Sequence, residues 1–276
     1  MTAPPAGAAT STRYAGRRRS VPSVFLAGAG VGVLGGMIGL GGAEFRLPLL
    51  IGAFGFAALQ AVIVNKAMSL VVVVVALPAR LLGVPLDSLT PHWTVVVNLL
   101  AGSLAGAWVG ASWATRAASR TLYRVLAVLL VLVAVALVAT HLGPLDGVGL
   151  VPSLRVPVGI AAGFGIGVVA ALMGVAGGEL LIPTIVLLFG LDIAIAGSLS
   201  LAVSLPTMVV AFTRYSRSQG FQVVRDNPRF LVAMTAGSIA GTVLGGLLLG
   251  VVPSVVLVPV LALLLVVSAG KVWGHR

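Results

Sequence analysis

Two stretches of the chain lying 135 residues apart decide the fold. Residues 26–48 are LAGAGVGVLGGMIGLGGAEFRLP, and residues 161–183 are AAGFGIGVVAALMGVAGGELLIP. A shift of 135 residues superimposes glycines, one glutamate and one proline without a gap, and the motif AGSLAG at 101–106 likewise meets AGSIAG at 236–241. Apolar composition alone does not align such residues in one register. The chain is therefore an internal duplication, which is typical of secondary transporters.

The composition of the chain is that of a membrane protein. Of its 276 residues 59% are hydrophobic and only 8% are charged, whereas soluble domains carry about 25% charged residues. Several apolar runs reach the ~20 residues that a helix needs to cross the hydrocarbon layer. We therefore predict an all-α integral membrane protein.

The basic residues indicate how the two halves are oriented. Thirteen of the 17 Lys and Arg residues lie in four places: both chain ends, the 116–124 region and the 214–229 region. The positive-inside rule assigns all four places to the cytoplasm. Their counterparts in the other half carry almost no net charge, so we expect two inverted-topology repeats with an odd number of crossings each.

The parity of the crossings constrains the start of each half. Residues 23–58 must leave the cytoplasm and return to it, which predicts a broken or re-entrant helical hairpin with its bend at GLGGAE, residues 39–44. The second half repeats the hairpin from the other side, with its bend at GVAGGE, residues 174–179. This gives about ten helical segments, five per half. The alternative is eight plain crossings with parallel halves.

The predicted organisation divides the chain into four parts. Residues 1–20 are rich in Ala, Pro, Ser and Arg, and we expect a disordered basic cytoplasmic tail. Residues 21–141 form the first repeat, 142–156 an extracytoplasmic linker, and 157–276 the second repeat. Both termini are then cytoplasmic, in a multi-pass protein of the cell membrane.

The only two glutamates in the chain, Glu44 and Glu179, are repeat counterparts and follow the glycine clusters. Intramembrane carboxylates are costly and usually functional. The glycines break the helix, and Pro48 or Pro183 is expected near the first turn of the next segment, where proline is tolerated. Two half-helix N-termini would then meet with free N–H groups and partial positive charge, which favours an anion site.

The repeated element [GA]-x-x-x-G-[LV]-[GA]-G-[AG]-E-[FL]-x-[LI]-P resembles the TauE/SafE family of sulfite exporter-like permeases, and the resemblance covers the chain beyond residue 22. It implies transport of sulfite, of sulfonates such as sulfoacetate, or of other small sulfur-containing anions. The sequence departs from the family pattern at Ala43 and Ala176, where glycines are usual. The expected function is secondary active transport by alternating access of the two inverted halves around a central site.

We expect the substrate-binding residues to lie at the two bends and on the helices that follow them. Glu44 and Glu179 are also candidates for proton coupling, and the alternative is that they only cap their helices. The predicted substrate-binding residues are Gly41, Gly42, Ala43, Glu44, Asn65, Lys66, Ser69, Gly177, Gly178, Glu179, Ser200 and Ser204.

Arg46 and Lys66 are the cations expected deep in the membrane, and their counterparts are Leu181 and Leu201. Lys66 is the preferred direct contact for the anion. The alternative is that these cations pair with Glu44 or Glu179, or reach an interface along their aliphatic stems, and for Arg46 this alternative is favoured.

Glycines spaced by four residues predict close helix packing. They are Gly102, Gly106 and Gly110, with Gly237, Gly241 and Gly245, and we expect Gly28, Gly32 and their counterparts to act similarly. These glycine-rich helix faces would also allow a homodimer.

Other functions find less support in the sequence. A channel or carrier for another small solute, such as a carboxylate or a cation held by the two glutamates, remains the alternative. An enzyme is disfavoured, because the chain has no cysteine, no H-E-x-x-H motif and no histidine at core depth. The G-x-G-x-x-G at residues 30–35 lacks the strand and acidic residue of a dinucleotide site. We expect no cofactor, no metal and no nucleic-acid partner.

Overall fold

The computed structural model describes residues 20–37, 41–83, 86–142, 151–248 and 254–274. The first half contains α1 (Val21–Met37), α2 (Ala43–Gly52), α3 (Ala58–Gly83), the short α4 (Leu86–Leu89), α5 (Trp93–Ala114) and α6 (Ser119–Leu142). The second half contains α7 (Pro152–Met173), α8 (Gly178–Phe189), α9 (Ile193–Ser216), the short α10 (Gln222–Asp226), α11 (Pro228–Leu247) and α12 (Ser254–Trp273). Short 3-10 turns at Thr90–His92 and Gln219–Phe221 complete the described elements.

The duplication is visible in where the helices begin. Four pairs of helices, α2 and α8, α3 and α9, α5 and α11, and α6 and α12, begin 135 residues apart in the chain. Among the described residues, ten helices have ten or more residues, and five of them fall in each half. The prediction of ten helical segments in two repeats is therefore confirmed.

The helices have the length and composition of membrane spans. Seven of those described are long and apolar enough to cross a bilayer, namely α3, α5, α6, α7, α9, α11 and α12. The shorter α1 and α8 are apolar as well. The chain is an all-helical, multi-pass membrane protein.

The two halves interlock through glycines. α1 packs along α11, and α5 packs along α7. A Cβ added at Gly28 or Gly32 would strike the backbone of α11 at Met234 or Ser238. Because the residue numbers of these contacts increase along both helices, α1 and α11 run parallel. Glycine lets them approach this closely, as the four-residue spacing predicted.

The same arrangement holds for α5 and α7. Added Cβ atoms at Gly102 and Gly106 would strike the carbonyl oxygens of Ile160 and Phe164. The glycine rows therefore pack helices together as predicted, but each row joins one half of the chain to the other half.

The orientation of counterpart helices shows that the repeats are inverted. The guanidinium carbon of Arg124, near the start of α6, lies 5.7 Å from the ring centre of Trp273 at the end of α12. Further along, Val131 and Val266 line one groove between the same helices. α6 and α12 are thus antiparallel. Counterpart helices that run in opposite directions are related by a twofold axis perpendicular to the helices, as in inverted repeats. In parallel halves, counterpart helices would run in the same direction.

The first hairpin enters and leaves on one face of the bundle. Phe54 and Phe56, just after α2, pack against the ring of Phe230 near the start of α11, with centroid distances of 4.9 and 5.2 Å. Because α1 is parallel to α11, α1 begins on this face as well. α2 has only ten residues, about 15 Å at 1.5 Å per residue, so it reaches only halfway across a membrane. The prediction of a re-entrant hairpin with its tip inside the protein is confirmed.

The face that the hairpin returns to carries most of the described arginines. We call it the arginine face and define it by Arg116, Arg120, Arg214 and Arg217. Nε of Arg214, near the end of α9, donates to Oγ of Ser112 near the end of α5 at 2.8 Å. This contact places the 116–124 and 214–217 segments on the same face, as the positive-inside pattern required.

Two predicted segments fall largely outside the described residues. These are the tail at 1–20, of which only Ser20 is described, and the linker at 142–156, of which residues 143–150 are not described. Their boundaries and locations stay predictions.

Candidate functional site

The two hairpin tips meet in the interior of the bundle, and glycines shape both bends. In the first bend Gly41 and Gly42 have φ of 80° and 72°. In the second bend the left-handed residues are Gly174 and Gly177, with φ of 71° and 87°. Left-handed backbone favours glycine. Ala176, the counterpart of Gly41, has no positive φ, so the two bends differ in path at the position where the second half departs from the family pattern.

A half-helix begins directly after each bend. α2 starts at Ala43 and α8 starts at Gly178, and neither N-cap residue makes a side-chain capping bond. Pro48 and Pro183 are each the sixth residue of their helix, so the expectation that they lie near the first turn is wrong. Because proline has no N–H, it removes one bond of the helical ladder in the second turn instead.

Glu44 and Glu179 occupy the first turns of the two half-helices and face each other. Their carboxyl groups are close enough to interact electrostatically with one another. Glu44 is 2% exposed, and neither of its carboxylate oxygens has a hydrogen-bond donor within the described structure. Glu179 is only partly buried. Glu44 thus makes no capping hydrogen bond, although its position suits the helix dipole.

Arg46 lies two residues after Glu44 in α2, with its guanidinium entirely inside the protein. It is 0% exposed. Its Nε donates to Oδ1 of Asn65 at 2.7 Å, its Nη2 to Oγ of Ser69 at 2.8 Å, and its Nη1 to Oγ of Ser238 at 3.2 Å. Glu44 acts on it only electrostatically. The expectation that Arg46 reaches an interface is wrong, because three neutral side chains hold its guanidinium in the core. The expected pairing with a glutamate is present only as an electrostatic interaction with Glu44, without a hydrogen bond.

Asn65 and Lys66 of α3 bind the backbone at both tips. Nδ2 of Asn65 donates to the carbonyl of Ala43 at 2.9 Å and to that of Met173 at 3.0 Å. Nζ of Lys66 donates to the carbonyls of Ala170 and Val175 at 2.8 and 2.6 Å. These carbonyls lie at the C-terminal end of α7, where a cation suits the partial negative charge. One of the three ammonium donors of Lys66 remains for another acceptor.

The equivalent place in the second half contains no cation. The counterparts of Arg46 and Lys66 are Leu181 and Leu201. Ser200 donates to the carbonyl of Gly197 on its own helix at 2.8 Å. Ser204, the counterpart of the Ser69 that binds Arg46, is 1% exposed and its Oγ has no partner. The interior is thus symmetric in backbone and asymmetric in charge.

The structure brings most of the predicted binding residues together. The first bend, Asn65 and Ser69 form one hydrogen-bonded group with Arg46. Lys66 is bonded instead to the carbonyls of Ala170 and Val175, and Glu179 interacts electrostatically with Lys66 and Glu44. Ser200 and Ser204 are buried on the counterpart helix without a described bond to this group. That these residues bind substrate stays a prediction.

Three polar residues of the interior were missed. Ser238 binds Arg46, and Thr207 shares a 2.8 Å hydrogen bond with Ser103. Ser103 and Ser238 are the serines of AGSLAG and AGSIAG. The recurrence of serine at counterpart positions could have identified Ser103 and Ser238, because close helix packing requires only small residues in these rows and not a hydroxyl group.

A family model decides the identity of the chain. The model described as Sulfite exporter TauE/SafE matches residues 3–137 and 144–276. The chain belongs to the TauE/SafE family. This TauE/SafE protein matches no curated protein and no solved structure. The two matched segments meet between the two repeats, and membership makes the chain a membrane transporter.

Proposed function

We propose that this protein is a secondary active transporter of small sulfur-containing anions, such as sulfite or organosulfonates. The observation that carries the proposal is the fully buried guanidinium of Arg46, which has no carboxylate bonded to it and lies beside two half-helix N-termini. A buried cation without a bonded counter-charge favours an anion nearby. Anionic oxygens can replace the neutral acceptors Asn65, Ser69 and Ser238 and bind a guanidinium more strongly than they do.

The carboxyl pair couples transport to protons in this proposal. Two ionised carboxylates facing each other in a low-dielectric interior repel strongly, and a single proton between them removes the repulsion and satisfies a Glu44 oxygen that otherwise lacks a donor. With one proton on the pair, Arg46 and Lys66 leave one net positive charge, which a monoanion neutralises. Without the proton the site is already neutral, so protonation and anion binding favour each other.

The same charges bear on the orientation of the protein in the cell membrane. The arginine face, by the positive-inside rule, is cytoplasmic, and so are both chain ends. Glu179 is only partly buried, whereas Glu44 is 2% exposed. The half-helix of Glu179 therefore offers the more open approach, from the opposite side.

The test is uptake of sulfite and a panel of short sulfonates into proteoliposomes, with and without an imposed pH gradient. We expect saturable uptake that the gradient accelerates. A Glu44→Gln, Glu179→Gln double variant should lose the response to the gradient. Asp192→Asn, which removes a carboxyl at the N-cap of α9 outside the interior, is the matched control and should keep it.

The outcomes separate the parts of the proposal. Transport of the panel with an unchanged gradient response in the double variant would disprove coupling through the glutamates. No transport of any sulfur anion by folded protein would disprove the substrate class. A response to a sodium gradient instead of a proton gradient would mean that the facing carboxylates hold a cation.

A further inference from the structure

A groove opens on the outer side of the bundle where α5 meets the arginine face. It has a volume of about 460 Å³ and is lined by Trp108, Val109, Ser112, Trp113, Arg116 and Ala117. Trp108, Val109 and Trp113 are 42%, 50% and 40% exposed. They belong to a helix long and apolar enough to span the membrane. The groove therefore faces lipid at the level of the bilayer surface, where tryptophan is favoured.

Arginines lie around the end of this groove that is nearest the arginine face. The guanidinium carbons of Arg214 and Arg217 lie 5.8 and 6.0 Å from the ring centre of Trp108. Arg116 forms part of the wall. Both Arg116 and Arg217 are exposed, and their guanidinium groups retain donors for a bound oxyanion. Stacking on an indole fixes the guanidinium plane without using its N–H groups.

The charge around the groove is of one sign. The described acidic residues are Glu44 and Glu179 in the interior, Asp87 and Asp192 on the opposite face, and Asp226 in α10. Only Asp226 therefore belongs to the arginine face. The groove combines an apolar floor of membrane-facing side chains with a cationic end, which matches a molecule with a hydrocarbon chain and an anionic head.

We propose that this groove binds an anionic phospholipid, with its phosphate held by Arg116 and Arg217 and its acyl chain along Trp113 and Val109. The site is separate from the interior that holds Arg46, and the proposal does not depend on which solute is transported. Arg214 positions the site, because its Nε is bonded to Ser112 and its guanidinium lies over Trp108.

A lipid fits the groove better than a free anion does. Because the apolar lining faces the bilayer, acyl chains cover it whatever binds at the rim, and a phospholipid whose chain lies there already holds its phosphate at the level of the arginines. Each basic residue near a bilayer surface adds about 1 kcal/mol for anionic lipid, which is about fivefold in affinity.

The test uses the tryptophans of the groove as reporters. Trp93→Phe and Trp273→Phe leave Trp108 and Trp113 as the only indoles in the chain. Full-length protein with these changes is placed in bilayers that contain brominated phosphatidylglycerol or brominated phosphatidylcholine, and quenching is followed against mole fraction. Because Arg116 and Arg217 each contribute about fivefold, we expect half-maximal quenching by the anionic lipid at a mole fraction about 25-fold lower than by the zwitterionic lipid.

Two double variants separate the site from general surface charge. Arg116→Gln with Arg217→Gln should bring the two quenching curves together. Arg225→Gln with Arg229→Gln removes the same charge from the same face but outside the groove, and should leave the difference intact. Circular dichroism and elution as a single species verify that each variant is folded.

Three results would overturn the proposal. The first is equal quenching by both lipids in the reporter protein. The second is an equal loss of preference in the two double variants, which would assign it to net charge. The third is reversal of the preference by millimolar inorganic phosphate, which would mean that the groove binds free anions.

Discussion

The glycines between packed helices allow a prediction about stability. Replacing glycine with alanine should destabilise the protein at a position inside a helix contact and stabilise it at a position outside the contact. Gly106 of α5 lies against the backbone of α7 at Phe164, and an added Cβ would overlap the Phe164 carbonyl oxygen. Gly165 is the next residue along α7, and a Cβ there would meet nothing within 4 Å. Gly106→Ala and Gly165→Ala therefore make the same chemical change within one helix pair, one inside the contact and one outside it.

The structure sets the expected size of each effect. An added Cβ at Gly106 would lie 2.0 Å from the Phe164 oxygen. Because non-bonded carbon and oxygen atoms prefer about 3.5 Å, the helices would have to move apart by about 1.5 Å. Overpacking of this kind costs about 1–3 kcal/mol. At Gly165 the new methyl group causes no clash, and replacing helical Gly with Ala stabilises by about 0.5–1 kcal/mol. We expect the two variants to differ by about 2–3 kcal/mol, with opposite signs relative to the wild type.

The assay is thermal unfolding of the purified protein in detergent, with the remaining monodisperse fraction as readout. The counterpart positions Gly241 in α11 and Gly30 in α1 provide an independent repeat, because Gly241 abuts the Ala29 carbonyl and Gly30 is open. Equal melting temperatures for Gly106→Ala and Gly165→Ala, or a higher one for Gly106→Ala, would refute the close packing of α5 on α7.

Three further predictions concern the interior and the orientation. Arg46→Leu, which copies the counterpart Leu181, should abolish uptake of sulfite while the protein still folds, and saturable uptake in this variant would remove Arg46 from the site. Lys66→Met should lower the free energy of unfolding by about 2–3 kcal/mol, because two buried carbonyls lose their donor; an unchanged melting temperature would contradict the role of Lys66 at the end of α7. The chain has no cysteine, so Asp87→Cys should react with an impermeant maleimide in intact cells and Ser216→Cys only after permeabilisation, and the reverse pattern would invert the proposed orientation.

The architecture could be predicted because the sequence records it twice. The 135-residue register located the counterpart helices, and the uneven distribution of arginines indicated the inversion, which α6 and α12 confirm. Neither signal needs knowledge of a tertiary contact. The inner ends of the hairpins followed from glycine and glutamate alone, since few residues other than glycine adopt left-handed backbone at Gly42 and Gly177.

The partners of the buried cations could not be predicted in the same way. Arg46 binds Ser238, which is 192 residues away, and Lys66 binds carbonyls 104 and 109 residues away. A sequence shows which cations lie deep in the membrane, but the acceptor depends on how helices from different halves are placed. A backbone carbonyl that accepts a hydrogen bond cannot be recognised in the sequence, because every residue has a carbonyl group.

The interlocking changes which parts of the protein can move against each other. Alternating access was expected between the two halves, yet α1 is packed on α11 and α5 on α7, and each contact joins the halves along a row of glycines. If the proposed alternating access holds, separating the halves would break both rows, whereas rocking of a body built around α1/α11 against one built around α5/α7 would keep each row intact. Inverted repeats allow such bodies to exchange roles between the two open states. Arg46 and Lys66 have only leucines as counterparts, so in the proposed cycle the two open states would differ in charge environment, and we expect the proposed anionic substrate to bind with different affinity from the two sides.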